Sequence, residues 1–173
     1  MIYQARAGQV AYGYAIGMLC AEWHIPFIPG DLNNAGTFSF PVRYESVKGV
    51  SGAEVLRGNG ENYAQIMADA AKKLEAEGVR AITGNCGFMA GFQEFVASQV
   101  NIPVFLTSLV QIPMLLNMLG SQHHIGILTA NSASLTDGLL ANAGITDSSR
   151  LTIQGMETYN HFNDVILKEL GTL

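Results

Sequence analysis

Apolar positions along this chain change period in a regular order. AYGYAIGML (Ala11 to Leu19) has the length of a buried strand, and FSFPVRYESV (Phe38 to Val47) alternates as a second strand does. From Asn62 to Glu77 the spacing of Ile66, Met67, Ala70, Ala71 and Leu74 is helical, and Gly78 stands where a C-terminal cap falls. VRAITG (Val79 to Gly84) then predicts a strand, Phe88 to Gln99 a helix, PVFL (Pro103 to Leu106) a strand and Ser108 to Leu119 a helix. After GSQHH the order begins again: a strand at HIGILTA (His124 to Ala130), a helix from Ala133 to Ala143, a strand at RLTIQGM (Arg150 to Met156) and a helix near His161 to Leu170. Alternating strands and helices predict an α/β fold with a mostly parallel sheet.

The restart suggests an internal repeat. Gly17 of AIGML and Gly126 of HIGIL lie about 110 positions apart, and so do Val42 and Ile153, the register that a duplication leaves. The expected division is a first domain over residues 1–119 and a second over 120–173. The second half holds two predicted strands where the first holds four, so it reads as an incomplete copy.

Composition narrows the classes of function. The chain has 173 residues, 49% of them hydrophobic and 13% charged, which suits a compact globular protein. No apolar run approaches the roughly 18 to 20 residues that cross a bilayer, and the N-terminus lacks a secretory pattern, so a cytoplasmic protein with no membrane partner is expected. A net charge of −5 without basic clusters argues against nucleic acid. His24, His123, His124 and His161 show no metal spacing, and Gly58 and Gly60 make neither a dinucleotide fingerprint nor a phosphate loop. No metal or cofactor is expected.

Candidate chemistry centres on Cys86, just past the Val79 to Gly84 strand. Ligands in open α/β sheets bind beyond the carboxyl ends of strands, and a helix starting at once would favour a thiolate. Packing as a small hydrophobe is the competing reading. Asn85 and Gly87 flank the cysteine in a tight turn. Thr107 and Ser108 follow the Pro103 to Leu106 strand and Thr129 follows the His124 strand, where each could bind an anion or simply cap a helix. Asp31, Asn33 and Asn34 lie in a long loop after the first strand, suited to a substrate amine or to turn formation. Cys20 reads as core or loop packing, and Arg43 as a strand residue facing solvent.

Three segments, EGVRAITGNCGF, IPGDLNNAGTFSFPVRY and HIGILTA, together resemble the aspartate/glutamate racemase superfamily, which includes hydantoin racemases and related decarboxylases and isomerases. The resemblance implies two similar flavodoxin-like domains related by a pseudo-two-fold, with the active site between them and one cysteine from each. Cys86 matches the first cysteine; no cysteine follows it, and its counterpart by the repeat falls beyond Leu173. The resemblance also implies cofactor-independent proton exchange next to the carboxylate of a small substrate such as an acidic amino acid. Asn85, Gly87, Thr129, Ser108, Asp31 and Asn34 are then the expected substrate-binding residues, and a homodimer the expected oligomer. With one thiol, a decarboxylase or isomerase, or a silent carboxylate-binding domain, are the alternatives to a racemase. The missing thiol and the missing strands together suggest a fragment of a longer protein.

Overall fold

The computed structural model describes residues 4–57 and 61–172; Gly58 and Gly60 lie outside the described residues. Its elements follow the alternation read from the sequence. Strand β1 (Ile16–Glu22) is followed by β2 (Val42–Ser51), helices α1 (Gly52–Arg57) and α2 (Glu61–Ala76), and strand β3 (Ala81–Gly84). A 3-10 turn (Gly87–Phe92), α3 (Gln93–Ser98), β4 (Val104–Phe105), a second 3-10 turn (Ser108–Gln111) and α4 (Ile112–Met118) complete the first half. Strand β5 (Ile125–Thr129), α5 (Asp137–Asn142), β6 (Leu151–Gly155) and a helical turn (Asn160–Phe162) that continues as a π-helical turn (Asn163–Leu167) follow.

The first four strands form one parallel sheet in the order β2-β1-β3-β4. The chain leaves β1 for one edge, crosses back over it and continues to the other. That reversal opens a crevice between the carboxyl ends of β1 and β3, where doubly wound sheets bind ligands. β5 and β6 form a separate parallel pair. The two pairs have matching register: Gly17 lies opposite Arg43, and Gly126 opposite Thr152.

Helix α2 covers the first sheet with Met67, Ala68, Ala71 and Leu74, each 0% exposed. Gly78 ends it with a φ of 89°, a conformation that costs glycine little. Leu139, Leu140 and Ile145 around α5 share one hydrophobic cluster with Phe88 and Leu109, and Ile127 of β5 packs against it. The two sheets therefore meet through a common core.

Several boundaries differ from the sequence expectation for local reasons. Gly13, at a φ of 99°, interrupts the extended run expected from Ala11, so β1 starts at Ile16 and carries Cys20 inside the strand. The helices expected at Phe88 to Gln99 and Ser108 to Leu119 each divide into a 3-10 turn and a short α-helix. Pro113, at the start of α4, has no N–H to extend the α ladder backward. Helix α5 begins only at Asp137 because Thr136 caps it, its Oγ1 accepting from the N–H of Leu139 at 3.3 Å.

Candidate active site

The loops after β1, β3, β4 and β5 surround a cavity of about 430 Å3. Cys86 lies in its wall, between the end of β3 and the first 3-10 turn. The turn is fixed from below. A Cβ on Gly84 would come within 2.9 Å of the Leu106 carbonyl oxygen, so only glycine lets β3 end this close to the chain after β4. Asn85 Oδ1 accepts from the N–H of Ala21 at 3.1 Å, and Asn85 Nδ2 donates to the Ala21 carbonyl at 3.4 Å. The Asn85 amide thus extends the β1–β3 ladder beyond the last strand residue and sets where Cys86 stands.

The sulfur is electrostatically unlike the expected thiolate. Burial pushes the Cys86 thiol up to about 11, while the N–H groups of Phe88 and Met89 pull it down without prevailing. Cys86 is the N-cap of a turn only six residues long, and its side chain makes no capping hydrogen bond. The dipole of such a turn is too small to offset desolvation, so Cys86 is a thiol at neutral pH. Cys20 is partly buried, with Sγ 3.6 Å from Asn33 Oδ1, and burial raises it to about 11 as well.

Most of the residues read from the sequence converge here. Asp31, Asn85, Cys86, Gly87, Ser108 and Thr129 all line the cavity. Thr107 lines it too, and its Oγ1 accepts from the N–H of Leu109 at 3.2 Å, so it caps the second 3-10 turn. Asn34 is not brought to the cavity. Its Nδ2 donates to the Phe27 carbonyl at 2.7 Å and its Oδ1 accepts from Gly36 at 2.9 Å, which turns the side chain into its own loop; Asn33 lines the wall instead. Arg43 pairs with Glu77 at 2.7 Å, away from the cavity.

The sequence reading passed over the aromatic side of this wall. Trp23, Phe27 and Phe162 all line it. The signal was available: Trp23, the chain's single tryptophan, directly follows a strand whose carboxyl end faces the site. Among the described residues that line it there is no lysine, arginine or histidine, and Asp31 is the only charged side chain.

The fold has counterparts of known structure. An arylmalonate decarboxylase variant in a sulfate-associated form aligns with a TM-score of 0.51 at 15% identity, over 82% of this chain and 62% of that one. A candidate Asp/Glu racemase from Yersinia pestis aligns with a TM-score of 0.51 at 14% identity, over 89% of this chain and 70% of that one. The chain has the fold of the aspartate/glutamate racemase superfamily.

The sequence relatives carry a different name. Dimethylsulfoniopropionate lyase 7 of Emiliania huxleyi is 31% identical over 156 residues, 87% of this chain and 46% of the relative. Dimethylsulfoniopropionate lyase of Durusdinium sp. clade D is 33% identical over 123 residues, 70% of this chain and 41% of the relative. The chain spans less than half the length of these curated relatives. No family model matches it. Among the described residues no helix is long and apolar enough to cross a membrane.

Proposed function

We propose that the protein is a thiol-dependent carbon–sulfur lyase acting on dimethylsulfoniopropionate or a close sulfonium analogue, with Cys86 as the base. The observation that carries this reading is the charge of the cavity wall around the thiol: one carboxylate, Asp31, and no cationic side chain. An acidic amino acid, with two carboxylates and one ammonium, would bring a net negative charge into such a site beside Asp31, at a desolvation cost that a zwitterion of zero net charge avoids. A propionate carrying a sulfonium brings its own positive charge.

The chemistry needs one base. The Cys86 thiolate removes a proton from the carbon next to the carboxylate, and the electron pair forms the double bond as the carbon–sulfur bond breaks. Neutral dimethyl sulfide leaves with the bonding pair, acrylate remains, and the proton rests on Cys86 sulfur. The leaving group takes no proton, so no acid on the opposite face is required. Racemisation, by contrast, asks for a second group across the substrate, and Cys20 is not among the lining residues. Hydroxyls of Thr107, Ser108 and Thr129 are the donors available to the carboxylate as charge develops on it.

The test is dimethyl sulfide release, followed by gas chromatography on the purified protein with dimethylsulfoniopropionate. Cys86→Ala lowers the rate at least about 100-fold, in the range of a lost general base. An unchanged rate in that variant would remove Cys86 from the mechanism. Exchange of the α-proton of amino acids in deuterated water without sulfide release would return the protein to the racemase reading.

A further inference from the structure

This inference rests on the sulfonium reading above and concerns how the same cavity orients its substrate. The sheet order places β3, and with it Cys86, between β1 and β4. The loop after β1 therefore stands on one side of the thiol and the loop after β4 on the other, and the two sides differ chemically. The β4 side offers the Thr107 and Ser108 hydroxyls and no charged group. The β1 side offers the rings of Trp23 and Phe27 and the only carboxylate of the wall, Asp31.

The β1 side is also a fixed wall. Trp23 Nε1 donates to the Ile166 carbonyl at 2.8 Å, which ties the indole to the last helical segment, where Phe162 and Ile166 complete the same side. The six-membered ring of Trp23 lies so close over Gly52 that any Cβ there would collide with it. Asp31 is held in a turn, its Oδ1 accepting from the N–H of Asn33 at 2.7 Å. Methyl groups on a sulfonium carry the positive charge outward, as those of a quaternary ammonium do, and aromatic faces with a nearby carboxylate attract them.

We infer that Trp23, Phe27 and Asp31 form the subsite for the cationic end of the substrate, with its carboxylate turned toward Thr107 and Ser108. Held this way, the carbon between the two ends faces Cys86. The three residues then discriminate among ligands of one length by charge alone.

The experiment compares dimethylsulfoniopropionate with 3-(methylsulfanyl)propionate, which has the same spacing and an uncharged sulfur, using calorimetry on the Cys86→Ala protein so that neither ligand turns over. The sulfonium binds at least about tenfold tighter. The ratio shrinks to within about threefold in Trp23→Leu and in Asp31→Asn, while Trp23→Phe, which keeps a ring, retains most of it. Fluorescence of Trp23 in the protein with its tryptophan intact gives a second reading: the sulfonium quenches it more than the thioether does. Equal affinities, no binding of either ligand, or an undiminished ratio in both Trp23→Leu and Asp31→Asn would overturn the orientation. Failure here with dimethyl sulfide still released leaves the lyase reading standing. Cation preference without sulfide release leaves the subsite standing and removes the lyase.

Discussion

At Cys86 two opposing influences on one sulfur can be ranked. The N–H groups of Phe88 and Met89 favour the thiolate, burial favours the thiol, and the balance lies near a pKa of about 11. A base of that kind is mostly protonated at neutral pH, so the proposed lyase activity would follow the small ionised fraction. The expected kcat/KM rises about tenfold per pH unit from pH 7 to near 10, since the substrate itself does not titrate there. Steady-state rates at four or five pH values decide the matter: a profile already flat above pH 7.5 points to a base of lower pKa. Asn85 is the second decisive residue. Its amide satisfies the backbone of Ala21, which is only 4% exposed, so Asn85→Ala leaves a buried N–H without its acceptor. The expected loss is about 1 to 3 kcal/mol in urea denaturation, with reduced activity because the turn holding Cys86 relaxes. Unchanged stability would mean that the strand ends are held together by something other than this amide.

At the scale of elements, the loop between β1 and β2, which holds the proposed subsite for the cationic end, is built from side chains bonding to backbone. Thr37 Oγ1 accepts from Gly30 at 2.9 Å and donates to the Asp31 carbonyl at 2.6 Å, and Tyr44 reaches across to the Leu32 carbonyl at 2.9 Å. Asn34 fixes Phe27 in the same way. Asn34→Ala accordingly raises KM about three- to tenfold, the effect of one lost hydrogen bond on loop position, and leaves kcat nearly unchanged; an equal fall in kcat would show that Asn34 acts on the chemical step. The composition of this loop marked it as functional, yet Asn33 lines the cavity and Asn34, the expected substrate-binding residue, does not. Neighbouring asparagines look alike in sequence, and only the turn started by Asp31 decides which one faces the cavity. The succession of strands along the chain was legible because buried parallel strands read as apolar runs; their order in the sheet was not. The 3-10 turns at Gly87 and Ser108 were not, since their apolar spacing also fits an α-helix. The protonated state of Cys86 was likewise out of reach, because it depends on how closely the cavity walls exclude water.

At the scale of the whole molecule, the shared core between the two sheets holds the β1, β3, β4 and β5 loops around one thiol and also makes the fold sensitive to alkali. Both cysteines are partly buried, and burial raises each from an ordinary value of 9.0 to about 11. Below pH 9 the folded and unfolded chains both carry protonated thiols, so the preference for the buried thiol is fully present. Between pH 9 and 11 the unfolded chain releases protons that the folded chain keeps, and stability falls as pH rises. The loss is at most about 3 kcal/mol for each cysteine, less where solvent reaches the sulfur. Urea midpoints of the native protein and of Cys86→Ser, compared at pH 8, 9 and 10, isolate the contribution of this thiol, because serine does not ionise in that range. The native protein loses stability relative to the variant as pH rises. A constant difference across the three pH values would show that Cys86 ionises as readily folded as unfolded, and the thiolate fraction open to the proposed base at pH 7 would then be about a hundredfold larger.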